Sequence, residues 1–341
     1  MANLNKRRVT LIVISLVILL GAAGAVWAWQ TPLLGESLPA RKTQQPAVSP
    51  DKDTAPATAP TEPTAMVPTQ AAPHPAPVCG GPETLNLLVL GIDPQAQADA
   101  IRLIHLDFTA PRALILSIPR DFYVQIVDMA DYGITRGRIN ATFAYGEYYN
   151  GRGQGVVSTA ENLYHNFGVT FDDYAVVQFR TVSKLIDQIG GVTIELDSPV
   201  DGRLQNQGYY AAGRHHLDGQ AALGFMRIRY LDTDFHRVDR QTLVLQALFS
   251  QARRELNLFQ QTQLGLIALG DRSVQTSLAA KDLPALVCLA RTLEKDQIHF
   301  VRIPGDYYRS ATTTSGANVQ IPQDGAADFI YAVMAGEYSP E

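Results

Sequence analysis

Twelve of the chain's 20 prolines fall within residues 30–82, interleaved with Ala, Thr, Gln and Ser. Each proline fixes φ and removes a backbone donor, so this block sustains neither a helix nor a central strand. It has no apolar periodicity and cannot bury enough surface to offset the entropy of ordering. We read residues 30–82 as a disordered Pro/Ala/Thr-rich stalk, extended by up to ~3.1 Å per residue. The fold is thereby confined to residues 83–341, about 260 residues and one globular unit rather than two.

Before the stalk, Lys6, Arg7 and Arg8 precede an uncharged run over residues 9–29. At 1.5 Å per residue that run spans about 30 Å, the thickness of a hydrocarbon core. It reads as a transmembrane helix, with Trp27 and Trp29 at the outer interface. The positive cluster retains residues 1–8 in the cytoplasm, so the rest is extracytoplasmic and the chain is a single-pass protein of the cell membrane. A cleaved signal peptide is the alternative.

The folded part alternates strand and helix patterns. "TLNLLVLGID" (84–93), "IRLIHLDF" (101–108) and "RALILSIPRD" (112–121) are strand patterns, two of them ending in charge. "GVVSTAENLYHNFG" (155–168) reads as a helix stopped by Gly168, followed by strand 174–179, helix 180–191 and strand 192–196. A helix begins after Leu217-Asp218, and a long amphipathic one over 235–256 has Asp234 as its expected N-cap. On that helix Val238, Leu245 and Phe249 are expected to face the core. Further helices are expected at 258–269, 282–294 and 324–336, with a strand at 297–303. This order predicts an α/β fold, an α-β-α layered domain around a mixed central sheet.

Charge collects at two places. Asp93 closes the first strand, Asp99 opens the second, and Arg120-Asp121 follows the third; open α/β sheets place ligands at such strand ends. Turn residues would have the same composition. The second place is "GFMRIRYLDTDFHRVDRQ" (224–241), which holds Arg227, Arg229, Arg237 and Arg240 in a chain of net charge −5. On extended chain Arg227 and Arg229 share a face, as Arg237 and Gln241 do on a helix. Arginine grips phosphate oxygens through two donors at once, and a helix start adds backbone N–H groups. These groups suit a diphosphate, with nearby carboxylates suiting Mg²⁺ or Mn²⁺. A solvated face paired with Asp232 and Asp239 is the competing reading.

Other chemistries are absent from the sequence: there is no GxxxxGK[ST], GxSxG or HExxH. His215 and His216, being adjacent, are poorly placed to share a metal, and a loop role is expected. No basic stripe points to nucleic acid. Cys79 and Cys288 are the only cysteines; beyond the membrane they form either a disulfide or two unpaired thiols.

The ordered set "LLVLGID", "ADAIRLIHLD", "LILSIPRDFYVQI", "RINATFAYG", "LIDQIGGVTIEL", "LDGQAALGFMRIRY" and "DFHRVDRQ" resembles the LytR-CpsA-Psr family over roughly residues 84–255. The resemblance implies an extracytoplasmic phosphotransferase. Such an enzyme moves a glycopolymer, such as teichoic acid, from an undecaprenyl-pyrophosphate carrier to peptidoglycan and releases polyprenyl phosphate. It implies metal-organising roles for Asp93 and Asp99, and pyrophosphate contacts for Arg120, Arg227, Arg229, Arg237 and Gln241. Asp99, Arg120 and Asp121 form the expected catalytic group, with Asp99 as the candidate base. The implied partners are the lipid-linked glycan, peptidoglycan and the cytoplasmic membrane. The apolar helices after residue 217 are expected to line a groove for the prenyl tail.

Two departures stand out. The family carries an arginine two residues after the first acid and another just before the second; here those places are Gln95 and Gln97-Ala98, in a shorter loop. His236 stands where glycine is usual. A polyprenyl-pyrophosphate phosphohydrolase and a non-catalytic module binding lipid-linked glycan are the alternatives to transfer.

Overall fold

The computed structural model describes residue 38 and residues 75–228, 234–255 and 274–340. The expected transmembrane helix, most of the stalk, the helix at 258–269 and Arg229 lie outside the described residues. Among the described residues no helix is long and apolar enough to cross a membrane.

The strands are β1 (Thr84–Ile92), β2 (Ala98–Asp107), β3 (Arg112–Ile118), β4 (Tyr123–Gln125), β5 (Arg136–Arg138), β6 (Asp173–Gln178) and β7 (Val192–Leu196). They continue with β8 (Val200–Asp201), β9 (Tyr209–Tyr210), β10 (Gly213–Leu217), β11 (Val274–Thr276), β12 (Ile298–Arg302), β13 (Tyr308–Thr312) and β14 (Asn318–Pro322). The helices are α1 (Ala141–Tyr145), α2 (Gly155–Phe167), α3 (Phe179–Gln188), α4 (Gly219–Arg227), α5 (Asp234–Glu255), α6 (Leu283–Thr292) and α7 (Ala326–Met334).

The central sheet is mixed, in the order β11-β6-β1-β2-β3-β12. β1 pairs parallel with β6 and β3 parallel with β12, while β2 runs antiparallel to both β1 and β3. The C-terminal ends of β1, β3, β6 and β12 therefore meet at one end of the sheet, beside the start of β2.

Alternation along the strands sorts side chains between two faces. Leu88, Leu90, Ile101, Leu103, Leu114 and Leu116 are almost fully buried, with α2 and α7 packed over them through Leu163, Phe167, Ile330 and Val333. The opposite face is treated differently. At one end Ala113 packs with α6 through Leu289. At the site end Phe179 of α3 lies over Gly91, where an added Cβ would sit 3.4 Å from its ring. Between them Val89, Ile104, Ile115, Ala175, Val177 and Phe300 are only half-buried. A second core joins α3, α4, α5, β7 and β10 through Ile186, Val192, Ile194, Phe225 and Val244.

Helix limits follow local chemistry. Gly168 ends α2 with φ 70°, a left-handed conformation that glycine adopts without strain. Asp218 caps α4 by accepting from Ala221 N at 2.7 Å. Cys79 and Cys288 are joined, with Cα atoms 5.7 Å apart, which ties a 3₁₀ turn at Val78–Gly80 to α6. Leu38 packs against the main core and lines a small cavity with Val157, Ala160, Tyr164 and Phe171.

Several sequence expectations need correction. α4 runs through Arg227, so Arg227 projects from a helix end and not from extended chain. On α5 the expected Val238, Leu245 and Phe249 stripe is not the buried one: Phe249 is 38% exposed, while Val244 is fully buried. His215 and His216 lie on β10, not in a loop; their Nε2 atoms meet Ala211 O at 2.7 Å and Gly190 O at 3.0 Å.

Candidate functional site: a strand-end cleft of arginines and carboxylates

A cleft of about 360 Å³ opens where the parallel strands end. Asp93, Gln95, Asp99, Arg227, Arg237 and Gln241 line it, with Phe179 and Met226 as apolar walls.

The β1–β2 turn places the two acids. Asp93 Oδ1 accepts from Gln95 N at 2.9 Å and Gln97 N at 2.8 Å, so this carboxylate holds the turn closed. Ala96 takes a left-handed φ of 58° within it. The register then slips: Gly91 pairs with Ala100 and Ile92 with Ala98, leaving Asp99 as the extra residue of a β-bulge. A bulge re-aims one side chain out of the pleat, and here it turns Asp99 into the cleft. Asn140 locks the assembly from behind. It is 2% exposed, its carbonyl accepts from Ala98 N, its N–H donates to Arg120 O, and its Nδ2 donates to Gln97 Oε1 at 3.1 Å.

Arg120 follows β3 through Pro119. It does not line the cleft itself; it donates to Asp99 Oδ1 and so fixes the carboxylate from behind. Asp121 stands one step further out, between Arg120 (3.5 Å) and Arg138 (3.3 Å). Arg237, only 2% exposed, approaches Asp99 Oδ2 at 3.7 Å. Arg227 lies with its guanidinium 5.6 Å from the Phe179 ring centroid, a cation–π contact that holds an exposed arginine over the cleft.

Gln241 is 4% exposed, and among the described residues its Oε1 is buried with no hydrogen-bond partner. A buried polar atom left this way costs free energy unless something fills the cleft. Flipping the amide would present its NH₂ instead. α5 thus divides its charges. Arg237 and Gln241 face the cleft, Arg240 donates to Ile228 O and secures the α4–α5 link, and Asp239 pairs outward with Arg302 at 2.7 Å.

Among the described residues lining the cleft, two guanidinium groups (Arg227, Arg237) stand against two carboxylates (Asp93, Asp99), with Arg120 bound to Asp99 from behind. Among the described residues no cluster of three or more His, Cys, Asp or Glu could hold a metal alone. The oxygen donors Asp93, Asp99 and Gln241 do fit a hard divalent ion that completes its shell with ligand oxygens.

The structure therefore brings together Asp93, Asp99, Arg227, Arg237 and Gln241, and sets Arg120 behind them and Asp121 behind Arg120. Of the two glutamines at the departed positions, Gln95 lines the cleft and Gln97 is tied to Asn140. His236 is exposed and does not line the cleft. Sequence reasoning did not single out Phe179 or Met226, nor Asn140 and Arg138, although "RINATFAYG" contains the last two.

A mixed sheet whose parallel strands end under a cleft of guanidinium, carboxylate and amide groups defines the class: an α/β protein with a polyanion-compatible strand-end site. Residues 53–333 match the LytR_cpsA_psr family, and the chain belongs to it. Among its relatives is Regulatory protein MsrR of Staphylococcus aureus, 32% identical over 172 residues, covering 48% of each chain. Another is polyisoprenyl-teichoic acid–peptidoglycan teichoic acid transferase TagV of Bacillus subtilis, 28% identical over 51% of this chain and 45% of that one. The chain thus spans about half the length of these two relatives. Among solved structures, B. subtilis TagV aligns with TM-score 0.61 at 22% identity, covering 76% of this chain and 99% of that one. TagT bound to LIIa-WTA aligns with TM-score 0.59 at 22% identity, covering 75% and 91%. At that identity the likeness is one of fold.

Proposed function

We propose that this protein transfers a glycopolymer from a polyprenyl-diphosphate carrier to peptidoglycan and releases polyprenyl phosphate. The observation that carries the reading is the cleft itself: Arg227, Arg237 and Gln241 converge with Asp93 and Asp99 on one space at the strand ends. The transferase named for the B. subtilis relative supports it.

In this reading the diphosphate occupies the cleft. Arg227 and Arg237 donate to its oxygens, and Arg120 acts through Asp99. The acceptor hydroxyl oxygen attacks the phosphorus that carries the glycopolymer. The bond to the bridging oxygen breaks, and polyprenyl phosphate leaves with the electron pair. Asp99 takes the acceptor's proton, while guanidinium groups offset charge on the departing phosphate. A Mg²⁺ or Mn²⁺ ion held by Asp93 and Asp99 would neutralise the diphosphate charge that the lining arginines leave uncovered. The half-buried face of Val89, Ile104, Ile115, Ala175, Val177 and Phe300 continues from the Phe179 wall and suits the prenyl tail.

We place the protein at the cytoplasmic membrane, with residues 9–29 as its span and the folded part outside. The Cys79–Cys288 bridge supports an oxidising compartment. Protease access to the folded part in intact cells tests this placement.

The test of function incubates the chain with a polyprenyl-diphosphate oligosaccharide, Mg²⁺ and peptidoglycan fragments, and follows sugar and prenyl phosphate by mass. Sugar joined to the fragments, and lost in Arg120→Ala, is the expected result. Prenyl phosphate released without transfer would mark a phosphohydrolase. Binding without turnover would mark a lipid-linked glycan binder. In Asp99→Asn, transfer should vanish while lipid binding persists; loss of both would reassign Asp99 to positioning alone.

A further inference from the structure

Beyond the cleft, on the side of the sheet that carries α1 and α2, tyrosines gather at the surface. Tyr132 and Tyr149 stack with ring centroids 4.2 Å apart, Tyr148 meets Tyr149 edge-on at 4.8 Å, and Tyr145 lies behind at 6.4 Å. Tyr148 is 81% exposed and Tyr132 51%. Large exposed rings rimmed by polar residues mark binding surfaces.

The shelf is rigid. Tyr148 and Tyr149 sit on a π-helical turn, Gly146–Asn150, of a kind that recurs at functional sites. Glu147 Oε1 clamps the turn by accepting from Gly153 N at 2.9 Å and Gly155 N at 3.0 Å. A Cβ on Gly146 would lie 2.4 Å from Gln154 O, so the turn is seated directly on the backbone behind it.

Paired residues lead from the cleft towards the hairpin beside the shelf. Asp99, Arg120, Asp121 and Arg138 form a chain of ion pairs out to β5. Asn140, which holds Gln97, directly precedes α1, which runs into the π-helical turn that carries Tyr148 and Tyr149.

We propose that Tyr132, Tyr148 and Tyr149 form the docking subsite for the glycan strand of the acceptor peptidoglycan. Sugar rings present apolar C–H faces to aromatic rings and hydroxyls to phenolic oxygens. The choice of acceptor follows from direction. In-line displacement puts the incoming hydroxyl opposite the leaving group. The half-buried apolar face that suits the prenyl tail is on the α3–α5 side of the sheet, and the tyrosines are on the other. This inference rests on the transferase reading.

The test uses the full chain in detergent with Tyr148→Ala and Tyr148→Trp. Binding of an uncrosslinked, amidase-released glycan strand is measured without donor. Transfer is then followed to separate KM for the strand from KM for the lipid donor. We expect Tyr148→Ala to weaken strand binding and raise the acceptor KM about tenfold, with the donor KM unchanged and recovery in Tyr148→Trp. Unchanged strand binding in Tyr148→Ala, or a change confined to the donor KM, would overturn the proposal while leaving transfer intact. Tyr148-dependent strand binding by a protein that transfers nothing would retain the subsite and remove the transferase reading. Melting temperatures confirm that each variant is folded.

Discussion

Arg237 is buried as deeply as an apolar core residue, and its approach to Asp99 helps to offset the cost of burying that charge. Its worth lies in a planar fork already aimed, which lysine does not reproduce. Arg237→Lys should lower kcat/KM for transfer by about 100-fold or more, measured with saturating acceptor. The two glutamines give a sharper contrast. Gln95 lines the cleft, so Gln95→Arg should tighten binding of a polyprenyl diphosphate by about tenfold in a direct titration. Gln97→Arg should give no such gain. It severs the bond to buried Asn140 and should cost about 1 kcal/mol in urea unfolding.

Whole elements aim these side chains. α4 carries Arg227 at its last residue and crosses α3 at Gly219, where a Cβ would lie 2.0 Å from Ser183 O. No rotamer relieves a clash with backbone. Gly219→Ala should therefore destabilise by about 1–3 kcal/mol in denaturant unfolding and should also weaken diphosphate binding by moving Arg227. The Asp218 cap at the same helix start offers a comparison: Asp218→Ala should cost about 1 kcal/mol. α5 shows why hydrophobic periodicity misplaced its inner face. Arg237, Arg240, Gln241 and Gln251 are all buried, so polar residues occupy much of the inward stripe. A pattern that equates burial with apolarity selects Val238, Leu245 and Phe249 instead.

At the scale of the molecule, the Cys79–Cys288 bridge spans a sequence separation of 209 residues and closes most of the folded unit into one loop. Loop entropy assigns such a link about 5 kcal/mol. Reduction should lower the melting temperature, and a Cys79→Ser/Cys288→Ser variant should be equally low and insensitive to reductant. A second global effect is acid sensitivity. Burial lowers the pKa of His105, which meets Asn86 Oδ1 through Nδ1 and faces Asp107, Arg112 and Asp172. The fold thus favours the neutral ring. This stability is complete above the unfolded pKa of about 6.5 and is lost as pH falls towards the lower folded value. Melting scans should show a decline below pH 6.5 that His105→Gln removes.

Local chemistry carried much of this protein into view. Apolar strand patterns marked β1, β2 and β3, and the charged residues at their ends marked Asp93, Asp99 and Arg120. The "DFHRVDRQ" run marked Arg237 and Gln241. Each of these signals acts over a few residues and so survives in sequence. Tertiary structure decided the rest. The bulge that turns Asp99 into the cleft depends on pairing between β1 and β2. The support of Arg227 by Phe179 joins residues on separate helices. The short hairpin of β4 and β5, and the tyrosine shelf beside it, pack against a core that no local pattern specifies. The disulfide was open in sequence for the same reason: chain separation says nothing of distance, and only folding brings Cys79 to Cys288.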